Sequence, residues 1–199
     1  MSSVNGVVGV QLMQVTSGET RKLLCRHGEC AKQKASDWAG PFELPEPLRV
    51  FYSEVGPVDI WIEGFGNPTT IYSLSDLWNR QAGYRWNGLT NEPVDDWQPN
   101  WIVVADEGAD PYIYDMETSR ILFALHGQGE WDAEEIYPDI NTMAACIAIL
   151  GSVILDSPDF ADDDCNVNPD CRAKAVKQLT KILGSKSEAE SIVEMAGWG

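Results

Sequence analysis

The chain has 199 residues, 44% hydrophobic and 23% charged, with a formal net charge of −17. This length and composition exclude a disordered tail or a peptide too short to bury a core, and no apolar run reaches the roughly 20 residues that span a bilayer. So negative a surface repels phosphate, so nucleic acid and anionic membranes are not expected partners and a basic protein is.

The charge is uneven: residues 92–140 hold thirteen Asp or Glu against the single Arg120, whereas residues 1–50 carry six basic and five acidic residues. Five cysteines, at 25, 30, 146, 165 and 171, and an N-terminus without a basic segment or cleavage site lead to the expectation of a cytoplasmic protein with reduced thiols. Cys25 and Cys30 flank His27, and Cys165 and Cys171 sit in an acidic loop. Neither spacing is that of a zinc knuckle, so no metal site is expected.

Residues 1–19 carry no sustained period and belong to an N-terminal extension. Thr20 to Lys34 reads as a short basic helix interrupted by Gly28, at about 1 kcal/mol relative to Ala. In LPEPLRVFYSEVGP, prolines 45 and 47 suit a helix entry and Gly56-Pro57 its exit. Leu48, Phe51, Tyr52 and Val55 then form one apolar stripe for packing on a sheet. Residues 58–65 and 69–74 alternate with period two around Gly64, Gly66, Asn67 and Pro68. They read as a β-hairpin with Val58, Ile60 and Ile62 on one side and Trp61 on the other. A short helix over 76–85, capped by Ser75, is followed by an irregular loop through WNGLTNEPVDDWQPN.

The rest is organised around residues 101–126. Apolar runs at 101–105, 111–115 and 121–126, separated by 107–111 and 116–119, read as a three-stranded antiparallel meander. GQGEWDAEEIYP reads as an acidic loop carrying Trp131. Asn141 caps a helix, TMAACIAILGSVIL, apolar nearly all round and therefore the core helix. Residues 156–170 form a boundary loop in which Asp162, Asp164 and Asn166 imitate a calcium loop, but Val167 and Ala173 stand where Gly and Glu are required, so an EF-hand is rejected. Asn168-Pro169 opens a helix to Leu183 ended by Gly184, and Ser187 with Glu190 is a capping box for a last helix carrying Ile192, Val193, Met195 and Trp198.

No phosphate loop, GxSxG, HExxH or CxxC occurs. His126 with Ser119, Asp106, Asp110 and Asp115 can be written as a hydrolytic site, and Asp106, Glu107, Asp110 and Asp115 as a hard-cation site. The plainer readings are a strand-end histidine bonded to backbone and carboxylates that serve turn N–H groups. Neither a catalytic residue nor a cofactor is therefore expected. Trp61, Trp86, Trp97, Trp101 and Trp131 lie in or beside loops and the hairpin, where aromatics next to carboxylates suit an Arg- or Lys-rich partner. Covering the sheet is their alternative role.

The order of these elements resembles the SUKH superfamily of Smi/Knr-like domains. Leu44, Pro45, Phe51 and Gly56 match its opening helix, and Trp101, Gly108, Asp110 and Asp115 its sheet core, over roughly residues 38–155. The resemblance implies an α+β fold, one antiparallel sheet (hairpin plus meander) backed by helices, and no catalytic site. Bacterial relatives are immunity proteins that bind and neutralise toxin domains, many of them nucleases; fungal relatives are regulatory scaffolds.

The organisation expected is an N-terminal extension over 1–37, a SUKH-like domain over 38–155, and an acidic loop with C-terminal helices over 156–199 packing on it. The function expected is non-enzymatic binding of a basic protein, of the immunity type, with no cofactor, metal, nucleic acid or membrane; a homodimer is left open. The contact residues expected are Trp101, Asp106, Glu107, Asp110, Trp131, Asp132, Glu134 and Glu135. A regulatory scaffold that uses the C-terminal helices, and a metal-dependent hydrolase at the meander turns, are the alternatives.

Overall fold

The computed structural model describes residues 15–199, so most of the expected extension over 1–19 lies outside the described residues. Six strands form one antiparallel sheet in sequence order: β1 (Ile60–Ile62), β2 (Thr69–Ile71), β3 (Trp101–Glu107), β4 (Asp110–Asp115), β5 (Ile121–Phe123) and β6 (Glu134–Tyr137). The expected hairpin and meander join edge to edge, with Thr69 opposite Glu107 and Ile71 opposite Ala105. Gly108 and Ala109, both at positive φ, make the two-residue turn between β3 and β4, a geometry that matches strand twist. The Asp106 carboxylate supports this turn by accepting from the Ala109 N–H.

Residues 134–137 were expected in an acidic loop and instead form the sixth strand, with Leu122 opposite Glu135 and Ile121 opposite Tyr137. The segment Glu-Glu-Ile-Tyr holds only two good strand formers, so its state comes from pairing with β5 rather than from its own propensity.

Five helices accompany the sheet: α1 (Ser17–Leu24), α2 (Glu46–Glu54), α3 (Ile140–Leu155), α4 (Pro169–Leu183) and α5 (Lys186–Met195). The basic helix expected over 20–34 is shorter and starts earlier. Thr16 and Glu19 form a reciprocal capping box at its start, and the chain leaves helical geometry well before Lys34. The helix expected over 76–85 is reduced to turns and a single 3₁₀ turn at Asn79–Gln81. Two caps are also relocated. Asp139 rather than Asn141 accepts from the Thr142 N–H, and Ser185 rather than Ser187 accepts from the Glu188 N–H. Helix α2 carries its stripe as read, with Leu48, Phe51, Tyr52 and Val55 fully buried.

Helix α3 is apolar nearly all round because most of its surface is covered, with Leu155 at its end left exposed. It leaves β6 and crosses the sheet to β1, where its Gly151 meets Ile62, with α1, α2 and α4 packed against it. A Cβ at Gly151 would overlap Ile62 Cγ2, so this glycine sets the close approach of helix to sheet. His27 reaches the same turn, its Nε2 lying 2.9 Å from the Ala148 carbonyl and 3.0 Å from Ser152 Oγ.

The other face of the sheet is covered by the segment 72–100. Gln81, fully buried, donates to the carbonyls of Leu77 and Val103 and accepts from the Val103 N–H. Val103 sits where the β3–β4 register shifts, so one side chain completes the backbone bonds that this irregularity leaves open. With covers on both faces, Ile102 to Ala105 and Pro111 to Asp115 are buried without interruption.

Candidate partner-binding site

The eight expected contact residues fall into two groups on opposite covers of the sheet. Trp101 and Trp131 belong to the aromatic cover: both are half-buried and stand edge-on to Trp97, with ring centroids 5.4 Å and 5.5 Å away. Trp97 is itself buried and also neighbours Tyr84 at 5.9 Å. These rings therefore hold the loop layer on the sheet, and the Trp131 N–H secures the incoming loop by donating to the Asp96 carboxylate at 2.7 Å. Trp61, on the edge strand β1, is the indole that remains open, at 54% exposure.

Asp106 is occupied as an acceptor, taking the Tyr72 hydroxyl at 2.7 Å as well as the Ala109 N–H. Asp115 is buried and accepts from Asn100 Nδ2, the Glu117 N–H and the Thr118 hydroxyl, which makes it the frame of the second meander turn. Glu135 on β6 pairs with Arg120 at 2.8 Å.

Glu107, Asp110, Asp132 and Glu134 meet around two adjoining cavities on the helical side, where the β3–β4 turn, the end of β5, the start of β6 and α5 converge. The first, of about 210 Å³, has Glu63, Glu107 and Asp110 among its walls beside Phe65, Leu150 and Trp198. The second, of about 700 Å³, has Glu130, Asp132 and Glu134 beside Ala124 and Ile136. Phe123, Leu125 and Met195 line both, and Leu125 and Met195 are more than two-fifths exposed. Six carboxylates thus surround an accessible apolar strip, and no Lys or Arg lines either cavity.

None of Glu63, Glu107, Glu130, Asp132 and Glu134 forms an ion pair among the described residues. Glu107 is half-buried, and burial raises its carboxyl above the ordinary range, opposed by the Tyr112 hydroxyl, which donates to it at 3.1 Å, and reinforced by the Asp110 charge. Asp110 accepts from both the backbone N–H and Nδ1 of His126, at 2.7 Å and 2.6 Å. The histidine expected to bond backbone through its ring bonds this carboxylate instead. Among the described residues no hydroxyl or thiol hydrogen-bonds to His126, and no three His, Cys, Asp or Glu side chains are grouped as metal ligands.

Sequence reasoning missed the C-terminal part of the site. Ile192, Met195, Ala196 and Trp198 wall the first cavity, and Trp198 is sealed against Phe160, which in turn meets Phe65 of the β1–β2 loop. Met195, one of the apolar residues read on the last helix, is exposed at the rim. Its side chain is one that fits irregular partner surfaces. The five cysteines are all free; burial and the neighbouring Cys25 thiol push Cys30 up to about 12. No helix of the described residues is long and apolar enough to cross a membrane. No family model, no curated protein and no solved structure matches the chain.

Proposed function

We propose that this chain is a SUKH-like, non-enzymatic binding protein of the immunity type, which engages a basic protein toxin, for example a nuclease, and neutralises it by covering its cationic surface. One observation carries this reading: six carboxylates ring an exposed apolar strip at two adjoining cavities that no Lys or Arg lines. Charges of one sign held together without compensation cost folding free energy. A cationic partner removes that cost while Leu125, Phe123 and Met195 supply the apolar centre on which affinity concentrates. A nuclease must itself be basic to hold phosphate, so an acidic surface competes for the same groups.

Glu107, Asp110, Asp132 and Glu134 are the central contacts of this reading. Asp106 and Glu135 are engaged by Tyr72 and Arg120, and Trp101 and Trp131 hold the opposite cover of the sheet, so these four lie outside the centre of this reading. The test is co-expression with the product of the reading frame immediately upstream of this one in its genome. Protection from that product's toxicity, lost when Glu130, Asp132 and Glu134 are changed to Lys, supports the reading. Protection that survives the triple change, or no protection by the unaltered chain, overturns it.

A further inference from the structure

Resting on that reading, we propose that the 210 Å³ cavity is an anchor pocket for the side chain of one lysine or arginine of the basic partner. Its volume is roughly seven waters' share of the liquid. That suits one long side chain and falls below the ~300 Å³ at which pockets for larger organic ligands begin. The walls are divided in the way such a side chain is divided: Phe65, Phe123, Leu150 and Ile154 offer an apolar lining for a methylene stem, and Glu63, Glu107 and Asp110 offer carboxylates for its charged head.

An anion is disfavoured, because three carboxylates and no cationic side chain line the space. A neutral apolar ligand would leave Glu107 as it stands, a half-buried charge with one hydroxyl donor and no cation. Such a group is costly to keep ionised and gains most from a cation brought beside it. Tyr137 adds a phenol to the walls. Its side chain is 1% exposed and lines the cavity. A phenol oxygen accepts from an ammonium or guanidinium N–H as readily as from water.

The cavity is also built rather than incidental. Trp198 closes its C-terminal side, held by the Phe160 ring at 4.8 Å and by Arg172 Nε, which donates to the Trp198 carbonyl at 3.2 Å. Tyr112 fixes the Glu107 carboxylate from within the sheet. Both walls are therefore in place before a partner arrives, which limits the ordering cost of binding.

The test titrates the full chain with n-pentylammonium chloride, and separately with sodium pentanoate, while amide chemical shifts are followed by NMR. Saturable shifts confined to residues near 107–112, 123–125 and 192–198 are expected with pentylammonium, in the millimolar range for a ligand of about six heavy atoms, and none with pentanoate. Glu107→Gln should weaken that binding about tenfold, the size of one lost charge-assisted hydrogen bond. Met195→Trp, at an exposed rim position, should weaken it by narrowing the mouth without removing a carboxylate. Equal response to both ions, or undiminished binding in both variants, overturns the pocket. Capture of the upstream basic toxin with affinity unchanged by Glu107→Gln would overturn the anchor and leave the partner reading intact. Pentylammonium binding by a chain that captures no basic toxin would assign the pocket to free alkylamines and overturn the partner reading.

Discussion

Asp110 holds His126 at two points, the backbone N–H at 2.7 Å and ring Nδ1 at 2.6 Å, and so ties the exit of β5 to the β3–β4 turn. The tie fixes Phe123 and Leu125 at the rim they share between the two cavities. Asp110→Ala should therefore cost about 1–3 kcal/mol, because a charge-assisted acceptor is lost. It should also raise amide hydrogen exchange at His126 first and most. An unchanged exchange rate there would show that the tie does not hold the rim.

A second dependence lies on the opposite cover. Gln81 serves both backbone groups of Val103 at the β3 irregularity. Gln81→Ala leaves a buried N–H and a buried carbonyl unpaired and should cost about 3 kcal/mol in urea unfolding. Trp97→Ala, which removes the ring shared by Trp101, Trp131 and Tyr84, should cost a similar amount, about 3–5 kcal/mol.

Two helical glycines should respond with opposite sign. Gly151→Ala forces a methyl into Ile62 and should destabilise by about 1–3 kcal/mol despite the gain in helix propensity. Gly18 in α1 has open space around its Cβ position, and Gly18→Ala should stabilise by about 0.5 kcal/mol. Equilibrium unfolding of the two variants checks both signs at once.

Two partly buried groups contribute to the pH dependence. Burial raises Glu107 in the folded chain. The folded state then holds this proton more firmly than the unfolded one, and ionising it at neutral pH lowers stability. Glu107→Gln should therefore raise the melting temperature at pH 7, an advantage that vanishes below the unfolded carboxyl range near pH ~4. His27 shows the other case: burial lowers its pKa, although the Ala148 carbonyl opposes this. The stability that neutral His27 permits is complete above the unfolded value near pH ~6.5 and declines as pH falls through it toward the folded value. His27→Gln should flatten that acid limb in thermal melts from pH 8 to pH 5.

Much of the framework was legible because it rests on local signals. The α2 stripe, the hairpin alternation around Ile60 and Ile62, and the meander with its Gly108-Ala109 turn all follow from period and turn chemistry. The antiparallel sheet backed by helices follows from them in turn. What escaped depends on long-range partners. Glu134 to Tyr137 become a strand because β5 is beside them, and Asp139 displaces Asn141 as a cap because its carboxylate reaches Thr142. The site divides along the same line. Four of the six cavity carboxylates, Glu107, Asp110, Asp132 and Glu134, could be named from the acidic stretch 92–140, whereas Glu63 comes from the hairpin and the indoles read as their companions cover the sheet's other face. Met195 and Trp198 take their place only because the C-terminal helices fold back across α3.

The central claim is that concentrated, uncompensated carboxylates draw in a basic protein, and the association rate with the purified upstream toxin, followed across ionic strength, tests it most directly. Between about 20 mM and about 500 mM salt the Debye length shrinks to a few ångströms, and the on-rate should fall about 100-fold, with most of that dependence lost when Glu130, Asp132 and Glu134 are changed to Gln, Asn and Gln. An on-rate indifferent to salt, or a triple variant that behaves like the unaltered chain, would contradict the account.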